Sequence, residues 1–164
     1  MNLIVNVSEN WAIGKGNELL FHLSGDMKFF KEHTVGKTIV MGRKTLESLP
    51  KSNPLPNRTN IVLTKNDGFE KDGVEIYTDI DKLIQNLKDK DDVYVIGGES
   101  IYKALLPYCN KAYVTKVAAT VDDADAFMPN LDLNPDWETE SESETLSEKG
   151  YDFKFVTYKR KCNP

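Results

Sequence analysis

The chain has 164 residues, among them two cysteines and two histidines, and its formal net charge is −5. This length fits one domain, and every apolar run is too short to cross a bilayer. The N-terminus has no signal-peptide pattern, and Cys109, Cys162, His22 and His33 lack zinc-ligand spacing. We therefore expect a cytoplasmic protein without a metal site, a disulfide framework or a membrane partner. Since Lys and Arg are nowhere dense, we also expect no nucleic-acid partner.

The charge is unevenly distributed. Between Asp122 and Glu148 there are ten acidic residues and no Lys or Arg, so the rest of the chain is mildly basic. A basic body suits an anionic small ligand, because local positive charge attracts it. A solvent-exposed acidic hairpin explains the same pattern without any ligand, and charge alone does not separate the two interpretations.

Seven β-rich runs alternate with helical patterns along the chain. In order they are LIVNV at 3–7, TIVM at 38–41, NIVLT at 60–64, VEIYT at 74–78, VYVI at 93–96, AYVTKV at 112–117 and FKFVTY at 153–158. Most are apolar throughout, which is typical of strands covered on both faces. The last run alternates with period two, which is typical of an edge strand or one-sided strand.

Four helices are predicted between these runs. They cover about 24–33 with Ser24 as N-cap, 44–49, 80–87 with Asp79 as N-cap, and 99–106 before Pro107. The alternation predicts a single α/β domain over 1–164, with a mainly parallel sheet of about eight strands and helices on both faces. The acidic segment 138–150 is interpreted as a polar connection, so we expect an antiparallel C-terminal edge strand.

Asp26 is unusual for its position. In the first predicted helix it shares a face with Phe29, Phe30 and His33, which should point inward. A buried carboxylate is unfavourable unless it is paired. Asp26 either supports the Ser24 cap and the helix dipole, or waits in an apolar cleft for a cationic or N–H-rich ligand. Its position alone leaves both interpretations open.

Two strand-to-helix turns carry glycine. Gly97-Gly98 follows VYVI, and the segment 42–45, GRKT, follows TIVM with two cations and a hydroxyl. Carboxyl ends of parallel strands are common ligand sites, and glycine lets the backbone approach a phosphate at a helix N-terminus. Turn geometry alone can require glycine, but two such turns in one small domain favour a polyphosphate ligand. Neither GxGxxG after a strand nor GxxxxGK[ST] is present.

These segments together resemble the dihydrofolate reductase family. The matching segments are LIVNV followed by WAIGKGNELL, FHLSGDMKFFKEHT, VMGRKTLESLP, PLPNRTNIVLT, VYVIGGESIYKALLP, YVTKV and FKFVTYKR. They cover nearly the whole chain in order. The resemblance implies an NADPH-dependent monomer that reduces 7,8-dihydrofolate to 5,6,7,8-tetrahydrofolate by hydride transfer to pterin C6 and protonation of N5.

The resemblance also implies roles for individual residues. Asp26 would be catalytic, holding the 2-amino and N3 edge of the pterin, with Thr115 linked to it, and Arg58 would bind the glutamate α-carboxylate. The other implied substrate-binding residues are Ile4, Val5, Met27, Phe30, Leu49, Leu55, Ile96 and Tyr102. The implied cofactor-binding residues are Asn6, Ile13, Gly14, Leu19, Gly42, Arg43, Lys44, Thr45, Leu63, Thr64, Lys65, Ile96, Gly97, Gly98, Glu99, Ser100, Ile101 and Tyr102. A cis Gly97-Gly98 bond and a mobile loop over 13–19 are implied as well.

The sequence departs from the family pattern near the implied site, where Leu20 and Ser24 replace two prolines of the family and two further changes affect polar contacts. Phe21 stands where the family has a tryptophan whose indole N–H donates to an ordered water near the pterin, so we expect altered proton delivery. Asn6 stands where the family usually has alanine beside the nicotinamide, so we expect altered cofactor contacts.

Two other functions remain open on the sequence. A pyrimidine reductase of riboflavin synthesis would use NADPH on a similar sheet, but would need neither Asp26 on its helix nor Arg58. A non-catalytic nucleotide-binding module would keep the phosphate turns without a pterin pocket. NADPH oxidation with and without dihydrofolate would separate these functions.

Overall fold

The computed structural model describes residues 1–161, and Cys162 lies outside them. The strands within these residues are β1 (Asn2–Val7), β2 (Ala12–Lys15), β3 (Glu18–Leu19), β4 (Thr38–Gly42), β5 (Thr59–Leu63), β6 (Val74–Tyr77), β7 (Val93–Gly97), β8 (Lys111–Val117), β9 (Ala126–Phe127), β10 (Trp137–Glu142), β11 (Leu146–Glu148) and β12 (Tyr151–Arg160). The α-helices are α1 (Ser24–Thr34), α2 (Arg43–Ser48), α3 (Ile80–Leu87) and α4 (Glu99–Leu105). Short 3-10 turns cover Pro50–Ser52, Leu106–Tyr108 and Leu131–Leu133.

The main sheet confirms the predicted mainly parallel α/β fold. Its strand order is β10-β12-β8-β1-β7-β4-β5-β6, and β11 also pairs with β12. The six strands from β8 to β6 in this order pair in parallel. The C-terminal strand β12 returns antiparallel to β8, as predicted.

The acidic segment 138–150 was wrongly interpreted as a connection. It contains most of β10 and all of β11, which both pair antiparallel with β12. The antiparallel edge is therefore formed by β10, and β12 lies beside it. After Trp137 every residue of β10 is exposed, so backbone pairing holds this strand without an apolar pattern that a sequence could reveal.

A small second sheet has the order β3-β2-β9, and its strands β2 and β3 form most of the segment 13–19 that the resemblance implies to be a loop. Gly14 of β2 pairs with Leu19 of β3 on one side and with Ala126 of β9 on the other. Strands this short carry no periodic signal. The mobility of 13–19 stays a prediction.

The core lies on both faces of the main sheet. In β1, Leu3, Val5 and Val7 pack with α3 and α4, whereas Ile4 packs with the side of α1 and α2. Successive side chains of a strand point to opposite faces, so Asn6 shares the α1 face with Ile4. The predicted helices on both faces are confirmed.

The helix boundaries agree with the sequence to within a residue or two. Asp79 caps α3 as predicted, accepting a hydrogen bond from the Asp81 N–H at 2.9 Å. Ser24 is not the N-cap of α1 but its first residue, and Leu23 precedes it. The chain continues from α4 into a 3-10 turn that contains Pro107, because proline fits the first turn of a helix. Every helix in residues 1–161 is too short or too polar to cross a bilayer.

Candidate active site

A cleft of about 890 Å³ opens at the carboxyl ends of the parallel strands. All the residues that the resemblance assigns to the cofactor line it, from Asn6 to Tyr102, together with Val5. Asn17 and Glu18 line it too and belong to the implied loop 13–19. Other lining residues were not predicted from the sequence, namely Ser48, Thr78, Ile80, Ala104, Asp125 and Ala126. Thr78 directly follows the parallel strand β6. It was therefore predictable, because ligands commonly bind at the carboxyl ends of parallel strands.

The two glycine turns form one edge of this cleft. They follow the neighbouring parallel strands β4 and β7, in which Met41 is paired with Gly97. A Cβ built on Gly98 would lie 3.6 Å from Thr45 Oγ1, so the turns are in contact distance of each other. Gly97 has a φ of 127°, a backbone angle that residues with a side chain rarely adopt. The Gly97-Gly98 peptide is cis, as the resemblance implies.

Positive charge and hydroxyl groups gather at the same edge. Arg43, Lys44 and Lys65 line the cleft with Thr45 and Thr64. These side chains supply the donors that phosphate oxygens require.

Two hydrogen bonds join the small sheet to the cleft, and one of them is the Phe127 N–H donating to Glu99 Oε1 at 2.6 Å. Asn17, in the turn between β2 and β3, donates from Nδ2 to the Lys44 carbonyl at 2.9 Å. The segment 13–19 therefore lines the cleft next to the cations.

Asp26 is held on both carboxylate oxygens by the sheet. Asn6 Nδ2 donates to Oδ2 at 2.8 Å, and Thr115 Oγ1 donates to Oδ1 at 2.6 Å. Asn6 and Thr115 are paired across β1 and β8, which explains why both reach the same group. Burial raises the pKa of Asp26, and the two hydrogen bonds oppose that rise. Asp26 is therefore a paired, largely desolvated carboxyl group beside the cleft, and not a simple helix cap.

An apolar cluster lies on the same face of the sheet as the helix that carries Asp26. Phe30, Leu49, Leu55 and Ile96 pack into the core on the α1 face. Met27 does not belong to this cluster, because 64% of it is exposed. The α1 face therefore offers apolar contact beside the Asp26 carboxylate.

Tyr102 joins α4 to the floor of the cleft. Its hydroxyl donates to the Ile4 carbonyl at 2.8 Å. Burial, together with the nearby charge of Asp26, raises the pKa of Tyr102. The phenol therefore stays protonated and serves as a fixed hydrogen-bond donor.

Arg58 lies at the outer end of the apolar cluster. Its Nε donates to Thr34 Oγ1 at 2.9 Å, its Nη1 donates to the Pro56 carbonyl at 3.0 Å, and its guanidinium lies 5.9 Å from the Phe30 ring centre. Partial burial lowers the pKa of Arg58. The guanidinium is thus oriented by neutral partners and keeps its charge for an anion.

Asn60 is a positioning residue that the sequence analysis missed. From β5 its side chain accepts from the Leu55 N–H at 3.0 Å, and donates to the carbonyls of Leu55 and Arg58 at 2.9 and 3.1 Å. It therefore fixes the loop that carries two implied substrate residues. Asn60 is only 3% exposed. Its burial and its role were not predictable, because the neighbouring residues of β5 show only an apolar strand.

The implied substrate residues fall into two groups. Val5, Ile96 and Tyr102 line the cleft itself. The remaining ones, Ile4, Asp26, Met27, Phe30, Leu49, Leu55, Arg58 and Thr115, lie outside its lining. Asn6 belongs to the lining and contacts Asp26, so it joins the two groups.

Phe21 is packed away from solvent. It is 7% exposed, meets Tyr151 edge-on at 5.1 Å between ring centres, and belongs to a small cluster with Leu23 and Phe153. Its ring supplies no hydrogen-bond donor. The neighbouring His22 is exposed, and its carbonyl accepts from Lys149 Nζ at 2.8 Å.

Known proteins resemble this chain over almost its full length. The family model described as Dihydrofolate reductase matches residues 1–160. The dihydrofolate reductase of Haemophilus influenzae is 36% identical over 162 residues, covering 98% of each chain. That of Bacillus subtilis is 36% identical over 163 residues, covering 98% of this chain and 95% of its own.

Among solved structures, the dihydrofolate reductase from Enterococcus faecalis, complexed with NADP(H) and RAB-propyl, matches with a TM-score of 0.86. It is 34% identical, and the match covers 97% of this chain and 95% of that one. The match in sequence and in structure extends over almost the full length of the chain. The chain belongs to the dihydrofolate reductase family.

Proposed function

We propose that the chain performs the family's reaction, the NADPH-dependent reduction of 7,8-dihydrofolate to 5,6,7,8-tetrahydrofolate, with Asp26 orienting and activating the pterin. The observation that carries this role is the position of Asp26. Both oxygens of its carboxyl group are held by hydrogen bonds, one of them from Asn6 in the cleft lining, and its helix packs Phe29 and Phe30 into an apolar cluster. The hydride goes to pterin C6 and a proton goes to N5.

Asp26 suits the recognition of a flat N–H-rich ring. Each of its oxygens receives one hydrogen bond from the sheet, and a carboxylate oxygen can accept a second. The 2-amino group and N3 of the pterin would supply those further donors. Such a bidentate contact fixes the ring's orientation, which hydride transfer requires.

The charge of Asp26 supplies the activation. Hydride adds more readily to a protonated C=N bond, and a negative charge in a low-dielectric pocket stabilises the protonated pterin. From the N3 edge Asp26 does not reach N5, so we propose that a water molecule carries the proton. The apolar cluster with Phe30, Leu49 and Ile96 keeps other water away from the reacting atoms.

NADPH fits the cleft, and when bound it supplies the hydride. Gly97, Gly98 and Thr45 would receive its pyrophosphate, where the glycine turns leave room for it. Arg43, Thr64 and Lys65 would hold the 2′-phosphate. The nicotinamide would lie near Asn6, with Ile13, Gly14, Leu19, Ile96 and Tyr102 around it. The remaining lining residues assigned to the cofactor are Gly42, Lys44, Leu63, Glu99, Ser100 and Ile101.

The substrate's glutamate tail would extend to Arg58. Ile4, Val5, Met27, Phe30, Leu49, Leu55 and Thr115 would line the path from the pterin to this cation. A pyrimidine reductase or a non-catalytic nucleotide module would leave both Arg58 and the paired Asp26 without a task. The membership in the reductase family supports the same choice.

The test is the consumption of NADPH with and without dihydrofolate, in the wild type and in Asp26→Asn. The variant keeps the shape of the side chain but loses its charge, so its activity at neutral pH should fall by orders of magnitude while NADPH binding persists. Acidic pH should restore part of the activity, because more dihydrofolate is then protonated in solution. Wild-type activity in Asp26→Asn, or joint loss of NADPH binding, would contradict the assigned role.

We further propose that residues 1–164 act as one domain, as a monomer and in the cytoplasm. The family match over residues 1–160 supports a single domain. Size-exclusion chromatography with light scattering tests the monomer, and cell fractionation tests the location.

A further inference from the structure

We propose that Asn6 is a positioning residue of this reaction. Its side-chain amide donates to one carboxylate oxygen of Asp26 and thereby sets the balance between the ionised and protonated forms of Asp26. The inference rests on the role proposed for Asp26. It assigns Asn6 a role toward Asp26, the residue proposed to bind the pterin, in addition to its place in the cofactor cleft.

The geometry that carries the inference is a two-sided clamp. Asn6 on β1 and Thr115 on β8 are paired in register, and their side chains point to the same face as α1. The Asn6 amide donates to Asp26 Oδ2 at 2.8 Å, and the Thr115 hydroxyl donates to Oδ1 at 2.6 Å. Asp26 belongs to the first turn of α1. Two neighbouring positions on the sheet therefore fix both the position and the rotation of its carboxylate.

Asp26 in turn determines how Asn6 is oriented. The Asn6 Oδ1 atom is buried and has no hydrogen-bond partner among residues 1–161, so Asp26 is the group to which this side chain bonds there. The nitrogen must face an ionised carboxylate, because the amide oxygen would place two acceptors against each other. A buried carbonyl oxygen without a hydrogen bond is unfavourable. A packing role alone does not explain that cost, whereas the hydrogen bond to Asp26 does.

Few other groups act on Asp26. Burial raises its pKa, and the hydrogen bonds from Asn6 and Thr115 are the two opposing influences. Tyr102 on α4 responds to the charge of Asp26 and remains a neutral phenol. On α1, His33 bonds through Nδ1 to the Phe29 carbonyl at 2.8 Å. The Asn6 amide is therefore one of two donors that favour the ionised carboxylate against its surroundings.

The first experiment compares Asn6→Ala with Asn2→Ala. Asn2 is a second buried asparagine of β1, and its Nδ2 donates to the carbonyls of Asp91 and Val93, outside the site. The titration of the Asp26 carboxyl is followed in the free enzyme by 13C NMR, assigned with Asp26→Asn. Steady-state kinetics gives kcat and each KM across pH.

Asn6→Ala should move the Asp26 titration to higher pH, and should lower kcat/KM for dihydrofolate at neutral pH by about tenfold or more. Asn2→Ala should leave both unchanged, even if it lowers thermal stability. An unmoved titration in Asn6→Ala would overturn the proposal. An equal movement in both variants would also overturn it, since strand distortion would then be the cause.

The second experiment uses Asn6→Asp, which preserves shape and exchanges the donor for another carboxylate. Two carboxylates at this distance share a proton, so kcat/KM at neutral pH should fall further than in Asn6→Ala. A packing role predicts the reverse order, with the isosteric variant closer to the wild type. The NMR titration needs no turnover, so it reports on Asn6 even if Asp26→Asn proves active and the role of Asp26 fails.

Discussion

Glu148 caps the helix that carries Asp26 by accepting two hydrogen bonds from Ser24. The Ser24 N–H donates to Glu148 Oε2 at 2.6 Å, and the Ser24 hydroxyl donates to Oε1 at 2.8 Å. The Gly25 N–H also donates to Oε1, at 3.1 Å. A carboxylate from β11, 124 positions along the chain from Ser24, thus satisfies the first free N–H groups of α1.

Removing this cap should loosen α1. Glu148→Gln should lower Tm at neutral pH, because the charged acceptor of the helix N-terminus is lost. The hydrogen bonds from Ser24 and Gly25 lower the pKa of Glu148 from its ordinary 4.5. The stabilisation is thus present above pH 4.5 and lost as pH falls through the lowered folded value, so the Tm difference should vanish in acid. Glu144→Gln, an exposed neighbour, is the control; equal Tm loss in both would contradict the cap.

Asp26→Asn should stabilise the protein while it removes activity. Burial raises the pKa of Asp26 above its ordinary 3.8, so the folded state binds a proton more tightly than the unfolded state. Stability from this group is therefore full below pH 3.8 and declines as pH rises through the raised folded value. Thermal unfolding across pH should show a higher Tm for the variant near neutrality and little difference in acid. A lower Tm for the variant at neutral pH would contradict this sign.

Arg58→Leu should weaken substrate binding selectively. Loss of a charge-assisted pair with the glutamate α-carboxylate costs about 2 kcal/mol, or roughly 30-fold in affinity. Dihydrofolate KM should rise while NADPH affinity stays constant. The matched comparison is a pterin substrate without the glutamate tail, which should not distinguish the variant from the wild type. If NADPH binding fell instead, Arg58 would belong to the other half of the site.

Cofactor preference should depend on Arg43. The wild type should favour NADPH over NADH by at least about tenfold in kcat/KM, through charge-assisted contacts with the 2′-phosphate. Arg43→Ala should narrow that ratio by raising KM for NADPH, with KM for NADH unchanged. Lys28→Ala removes an exposed cation of α1 outside the cleft and should leave the ratio unchanged. Equal use of both cofactors by the wild type would place the 2′-phosphate elsewhere.

Much of the architecture was predictable because its signals are local. The apolar runs, the periodicity of α3 and the glycine turns of β4 and β7 each lie within a few residues, so the sequence determined the α/β class and the ligand-binding edge. The motifs then indicated the family and drew attention to Asp26, whose carboxylate stood out on an inward-facing helix surface.

Tertiary structure alone decided what Asp26 contacts. Thr115 lies 89 positions from Asp26, and only the register of β8 beside β1 brings it together with Asn6 around one carboxylate. The same holds for Asn60 beneath the Arg58 loop, and for the cap formed by Glu148. Hydrogen bonds between distant segments depend on how the sheet is assembled, and a polar residue carries the same local pattern whether its partner is water or a buried carboxylate.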